Sequence, residues 1–407
     1  MSRRSPRSSA EVRHLVVKAA TALFAERGYA RVATRDIAKR ADVTPSQLFA
    51  QFGTKARLYE VAIVKPYLET VSSFAERWRS DPVRTVAPAQ VYRVLVNELF
   101  EVTAAEPGLM TALIIAQAHE ESLVEEIAPS LRQVDDALRP LEDLVRGPEP
   151  DEPVLGIRLT HGTVMAAVQF RCWLATHLPD RESTVTAMTD LLTHSIQGDD
   201  SSAGASGTGS ASRSGSTPDP HVDPARSPEG MRGRLLAAAA RLFEQRGFPG
   251  VSTRSIAEAA GTSETILFRH FSTKSDLFEQ ALTRPWSTEV ADFIERQQGR
   301  EGDVSGLVSE LYRLVHARRP ALIAMLEFER QEPPPEGVHS PITALLDLLQ
   351  SRLPAGQPHP AATAGLLVAA VLGAAVLDVW LFTGHPPDAE RVVAGLTELV
   401  RTGVKAR

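Results

Sequence analysis

Two twelve-residue stretches carry hydroxyl, amide, aromatic and basic side chains at one shared spacing: TPSQLFAQFGTK at 44–55 and SETILFRHFSTK at 263–274. Each starts on a hydroxyl, places Leu-Phe at positions five and six and Phe at nine, and closes on Thr-Lys. The residues between these fixed points differ, and they are the types that recognise nucleic acid. An amide such as Gln47 pairs with adenine, a carboxylate such as Glu264 accepts from cytosine N4, and an exposed aromatic such as Phe49 or Phe268 meets a thymine methyl. This is recognition chemistry, not bond-making chemistry. The chain has no nucleophile elbow, no phosphate-binding glycine loop and no paired His/Cys metal spacing, so neither an enzyme nor a metal or cofactor is expected.

Charge points the same way. The 407 residues carry a net charge of −6, yet residues 1–57 hold twelve Lys/Arg against four Asp/Glu, and residues 225–275 hold eight against four. Two basic islands in an otherwise acidic chain are the footprint of two phosphate-neutralising surfaces. A lone cysteine, Cys172, excludes an internal disulfide and is expected to be a small buried apolar residue. The N-terminus, MSRRSPRSSAEVR, has charge but no apolar run behind it and does not read as a secretory signal. The apolar stretch at 361–382 contains Asp378 and lacks a flanking basic cluster. It is expected to be a buried interface helix rather than a membrane span, and the chain reads as cytoplasmic.

The elements that must position these groups repeat as well. Offsetting the chain by 219 residues aligns 18–58 with 237–277 at 18 identities in 41 positions. Each copy reads helix, loop, helix, turn, helix. Apolar residues at helical spacing (Leu15, Val16, Ala19, Ala20, Leu23, Phe24) predict a first helix over 11–27, stopped by Gly28. Thr34 is expected to cap the second helix, with a tight turn at Asp42-Val43. Thr44 caps the third, with Pro45 in its first turn and Leu48 and Phe52 anchoring it. Thr253, Ser263, Leu267 and Phe271 repeat the scheme. Two short helices joined by such a turn are a helix-turn-helix, whose second helix presents its non-core face to a major groove. Those faces are Thr44, Pro45, Ser46, Gln47, Phe49, Ala50 and Gln51, and Ser263, Glu264, Thr265, Phe268, Arg269 and His270.

Both modules resemble the N-terminal DNA-binding domain of the TetR family of transcriptional regulators, over about 50 residues in each half. The marks are Phe-x-x-x-Gly-(Tyr/Phe) closing the first helix, Thr-Arg-x-Ile-Ala opening the second, and Leu-(aromatic)-x-x-Phe-x-x-Lys. The resemblance implies that Thr34 and Thr253 hold a phosphate at the start of the second helix, that Lys55 and Lys274 grip another, and that Arg35 and Arg254 sit near the backbone. Phe49 and Phe268 stand where the family usually has Tyr, and Ala50-Gln51 replaces its usual Arg/His pair. Copy two keeps Arg269-His270; its Glu264 either reads cytosine or repels phosphate and caps the helix. Arg3, Arg4 and Arg7 form either a minor-groove arm or a solvated tail.

The expected organisation is all-α. A helix-turn-helix domain at 1–57 leads into a helical ligand-binding and dimerisation domain at 58–197. A Gly/Ser/Pro-rich flexible linker at 198–228 follows, then a second helix-turn-helix domain at 229–276 and a second helical domain at 277–407. The family's last two helices make a dimer bundle. Here Val164–Pro179 and Val371–Pro386 align with Trp173 over Trp380, and Arg171 falls opposite Asp378. That match suggests half-to-half docking favoured by opposite charges, which a linker would make intramolecular. The resemblance also implies an effector pocket in each half, with His119, Glu120, His161 and Gln169, then His316, Glu327 and Glu329, as candidates to orient an unknown small molecule. The partners expected are therefore a double-stranded DNA operator, that effector and the chain's own other half, with a further homodimer possible and no membrane. The rival reading is a sensor or scaffold in which one DNA-binding half has lost function.

Overall fold

The structure is a computed structural model that describes residues 8–80, 88–105, 108, 111–112, 114–116, 121–142, 153–193, 230–300, 303–332, 341–377 and 389–402. The arm residues Arg3, Arg4 and Arg7, the linker, and His119, Glu120, Asp378 and Trp380 lie outside them. Every labelled element among the described residues is helical. The first half contains α1 (Ser9–Arg31), α2 (Thr34–Arg40), α3 (Pro45–Phe52), α4 (Lys55–Tyr59), α5 (Lys65–Ser80), α6 (Pro88–Ala105), α7 (Glu121–Glu142), α8 (Pro153–Gln169), α9 (Arg171–Leu174) and α10 (Arg181–Thr193). The second contains α11 (Gly230–Gly250), α12 (Thr253–Ala259), α13 (Glu264–His270), α14 (Lys274–Phe278), α15 (Arg284–Gln297), α16 (Val304–Ala317), α17 (Arg319–Gln331), α18 (Pro341–Arg352), α19 (Pro360–Val376) and α20 (Ala389–Thr402). A single π turn, Glu60–Val64 or Glu279–Thr283, joins α4 to α5 and α14 to α15.

Local chemistry explains the boundaries. Ser8 and Glu11 form a reciprocal capping box that opens α1, at 3.2 and 3.0 Å. Gly28 (φ 74°, ψ 165°) breaks the helical path where a stop was expected, and Gly247 does the same in α11. Both sit in a backbone region open essentially to glycine alone. The expected cap at Thr34 is off by one residue: Ala33 holds the cap position, without a side-chain bond, and Thr34 is the first helical residue. In the second copy Ser252, not Thr253, caps α12 through Ser255. The buried Val32 and the residue after it are both extended, which moves the helix start one position along. Thr44 caps α3 as expected, with Pro45 at its first position, and Ser263 caps α13. Asp42 turns between α2 and α3 at φ 53°, and Gly261 takes the same place at φ 68°.

The two halves share one apolar core. α8 packs along α19, α10 meets α19 and α20, and α20 meets α8, so four helices, two from each half, lie together. Of the 361–382 stretch expected to be an interface helix, the part up to Val376 lies in α19, buried from Ala362 to Val376, and 378–382 lie outside the described residues. No helix among the described residues is long and apolar enough to cross a membrane. At the crossing, a Cβ on Gly373 would stand 2.4 Å from the Gly162 carbonyl oxygen, so the helix backbones meet where neither carries a side chain.

Candidate nucleic-acid interface

Each reading helix is pinned on one side and bare on the other. In α3, Leu48 and Phe52 are buried against α1 and α2. Thr44, Pro45, Ser46, Gln47 and Phe49 face outward, and Gln51 is half-buried. In α13, Leu267 is buried while Ser263, Glu264, Thr265, Phe268, Arg269 and His270 are exposed. Phe49 and Phe268, next to fully buried leucines, stay 46% and 48% exposed. Burying a Phe side chain is worth about 1.5–3 kcal/mol, a gain that both aromatics forgo at matched positions.

The modules differ in how their polar groups are engaged. In the first, Gln47 Oε1 accepts from the Thr44 N–H at 2.9 Å, and Gln51 Nε2 donates to Ser9 Oγ at 2.5 Å. Gln47 thus braces its own helix start, and Gln51 ties α3 to α1. Arg35 projects into solvent, its side chain 85% exposed, with its Nε 3.9 Å from Asp36 Oδ1. In the second module Thr253 donates to the Glu264 carboxylate, and Arg254 pairs with Glu258 at 3.0 Å. Glu264 therefore engages the threonine that the family resemblance assigns to phosphate, while Ser263 does the capping.

Lys55 and Lys274 open α4 and α14, but their ammonium groups do not stand on the outer face. Lys55 Nζ lies 4.0 Å from the centre of the Tyr29 ring and Lys274 Nζ 4.1 Å from that of Phe248. Lys274 also donates to the Phe248 carbonyl, and burial lowers its pKa to about 8. Each amine is drawn under the kink of the first helix by a cation–π contact, which is stronger for a partly desolvated cation. Sequence reasoning missed a matched pair of arginines. Arg13 lies 5.0 Å from the centre of the Phe52 ring, and Arg232 lies 4.7 Å from that of Phe271 while donating to the His270 carbonyl at 2.9 Å. Both sit where the reading helix ends, and the 219-residue offset superposes them.

The residues expected to orient an effector do not converge. His161 is buried in the first half with its Nε2 3.2 Å from Tyr67 Oη, and Gln169 Oε1 accepts from Thr111 Oγ1 at 2.5 Å. His316 is exposed and stacks on Tyr312. Glu327, near the end of α17, lines a cleft between the two modules together with Arg27, Gly28, Arg31, Arg246 and Gly250. Burial lifts its pKa to about 7, against the pull of Arg31 and the Phe248 N–H. Glu329 accepts from Trp173 Nε1 at 2.6 Å, which makes Trp173 a cross-half contact. Arg171 is exposed, and so is Cys172, contrary to the buried thiol expected. The short α9 turn buries Trp173 and Leu174 and leaves those two residues outward.

Burial lowers the His161 pKa from 6.5 to about 4. The unfolded chain takes up a proton below pH 6.5 that the folded chain refuses, so stability falls as pH drops from 6.5 toward 4. That loss is expected to reach about 3 kcal/mol. Urea melts across this window will show a shallower fall in His161→Gln; an unchanged slope contradicts the assignment.

Residues 16–62 and 235–281 each match the family model described as bacterial regulatory proteins, tetR family. Over 53 residues the chain is 42% identical to the HTH-type transcriptional activator FasR of Mycolicibacterium smegmatis, covering 13% of this chain and 24% of that protein. Over 141 residues it is 30% identical to the HTH-type transcriptional repressor Rv3405c of Mycobacterium tuberculosis, covering 35% and 66%. Over 67 residues it is 34% identical to the HTH-type transcriptional repressor AcnR of Corynebacterium glutamicum, covering 16% and 35%. The chain thus spans between 24% and 66% of the length of these relatives.

Proposed function

Starting from a chain that belongs to the tetR family of bacterial regulatory proteins in both halves, we propose that it is a ligand-responsive repressor that acts as a single-chain pseudo-dimer on an asymmetric operator. The observation that carries this reading is the pairing of two unlike reading helices, Pro45–Phe52 and Glu264–His270, on one continuous core. The shared packing of α8, α10, α19 and α20 supports intramolecular docking of the halves, the arrangement that Arg171 and Asp378 were expected to favour.

In this reading Thr44, Pro45, Ser46, Gln47, Phe49 and Gln51 face one half-site, and Ser263, Glu264, Thr265, Phe268, Arg269 and His270 face the other. Phe49 and Phe268 supply thymine-methyl contact, and Gln47 pairs with adenine once its amide leaves the cap. Thr34 and Arg35 meet phosphates in the first module; Thr253 and Arg254 do so in the second after parting from Glu264 and Glu258. Repression needs only occupancy of the operator, and two of the named relatives are repressors. In the first half the buried Tyr67–His161 hydrogen bond is the polar feature that an effector would meet.

The test is footprinting on duplexes selected from a random library with the full chain. The expected site has two unlike halves. Arg269→Ala with His270→Ala should weaken one half by about tenfold or more and lower the salt slope by about one to two. A perfect palindrome, or equal loss at both halves, defeats the reading.

A further inference from the structure

Five consecutive residues at the end of α17 reach four parts of the chain. Glu327, 7% exposed, lies between the two helix kinks: its Oε1 is 3.8 Å from where a Cβ on Gly28 would stand, and its Oε2 overlaps the place of one on Gly247. Phe328 stacks on Phe278 with centroids 4.3 Å apart and meets Phe248 edge-on at 4.8 Å. Glu329 takes the Trp173 indole N–H from the first half's helical domain. Arg330 Nη2 donates to the Ala25 carbonyl at 3.3 Å, and Arg31 Nη1 lies 3.5 Å from Gln331 Oε1. One and a half turns of helix are therefore fastened to both reading modules and to the opposite half at once. From the first half, Arg27, Gly28, Tyr29, Arg31, Ile115 and Ala116 line the same cleft.

We infer that the Glu327–Gln331 run is a brace that fixes the separation and rotation of the two reading helices, so that the protein selects the spacing of its half-sites as well as their sequences. The inference rests on the two-half-site reading above. On B-DNA each added base pair moves a half-site by 3.4 Å and turns it by about a tenth of a revolution. Two heads held only by a coil linker with a reach of roughly 30 Å tolerate many spacings; two heads fastened to one helix tolerate few. Charge bears on the same point. Arg27, Arg31 and Arg246 line the cleft, and Glu327 is the carboxylate among its lining residues. With Glu327 neutralised, like charges on α1 and α11 face each other.

The test uses the full chain in a Cys172→Ser background with spin labels on Ala50→Cys and Arg269→Cys, measured by pulsed dipolar spectroscopy without DNA. Parent protein should give one narrow distance, and Glu327→Gln with Arg330→Ala about a doubling of its width. Arg330→Ala alone, an exposed change that spares the core, should broaden it in the same direction. Equal widths in parent and variants overturn the inference. Unlabelled chains, with Arg269 and Ala50 intact, are then titrated with library-selected duplexes carrying two inserted base pairs. The insertion should cost the parent about tenfold in affinity and the double variant about threefold; equal penalties again overturn it. If the parent selects only single half-sites while its distance stays narrow, the two-half-site reading fails and the brace stands on the distance result.

Discussion

Gly373→Ala will destabilise the chain, although it replaces the residue with the poorest helix propensity after proline by the one with the best. In an isolated helix that exchange stabilises by about 1 kcal/mol. Here the new Cβ stands 2.4 Å from the Gly162 carbonyl oxygen, 2.6 Å from its carbon and 3.1 Å from the Thr163 nitrogen. All three are backbone atoms of a buried helix, so no side chain can swing away, and α8 and α19 must separate along their length. Overpacking of a tight core costs about 1–3 kcal/mol and occasionally more. Because the obstacle is backbone, the upper end applies, and the net loss is expected near 2 kcal/mol, or a Tm lower by about 2–3 °C for a chain of this length. Gly365→Ala is the control. Its Cβ would meet Leu178 Cγ at 2.8 Å and His177 Cβ at 3.2 Å, side-chain atoms that can shift where the Gly162 backbone cannot, so its loss is expected to be smaller than that of Gly373→Ala. Thermal melts of both variants decide the matter: a neutral or stabilising Gly373→Ala would mean that the halves do not meet at Gly162.

What the sequence reveals and what it hides divide along one physical line. The reading helices were legible because their signals are local. Thr44 and Ser263 cap, Leu48 and Leu267 anchor, and the spacing between them lies within one helix. Gly28 and Gly247 were legible as stops for the same reason. The Thr34 cap was misplaced by one residue because Ala33 carries no capping group, and only the backbone path from buried Val32 sets the start. The resemblance assigned Lys55 and Lys274 to a phosphate but did not disclose the ring that each amine meets at the kink, because Tyr29 and Phe248 lie 26 residues back in sequence. Glu327 and Glu329 were illegible as contacts between parts. Their partners, Gly247 and Trp173, lie 80 and 156 residues away in sequence, and only the docking of the halves brings Trp173 to Glu329. Arg13 and Arg232 were within reach, since the 219-residue offset of the repeat, carried five residues upstream, superposes them and each lies beside a matched Phe.

The matched kink glycines give a second large expected effect, because the repeat makes them equivalent and the docking does not. Gly28 (φ 74°, ψ 165°) and Gly247 (φ 66°, ψ 166°) share one backbone state, so alanine at either will cost about 1–3 kcal/mol in strain. Their surroundings differ. A Cβ at Gly28 is an ordinary 3.8 Å from Glu327 Oε1, whereas a Cβ at Gly247 would lie 1.9 Å from Oε2 and 2.9 Å from the carboxyl carbon. Glu327 is buried against Gly28 and Gly247 at once, so it can yield only by giving up its place between the modules. Gly247→Ala is therefore expected to cost about 2 kcal/mol more than Gly28→Ala. Truncating Glu327 removes the obstacle, so in a double-mutant cycle Gly247→Ala with Glu327→Ala should be less damaging than the sum of its parts by about 1–2 kcal/mol. Gly28→Ala with Glu327→Ala should add without coupling, its contact being already relaxed. Urea denaturation of the five variants and wild type measures all of these terms. Equal costs at the two glycines, or additivity at Gly247, would place the Glu327 carboxyl away from the second kink and remove the contact from which the brace begins.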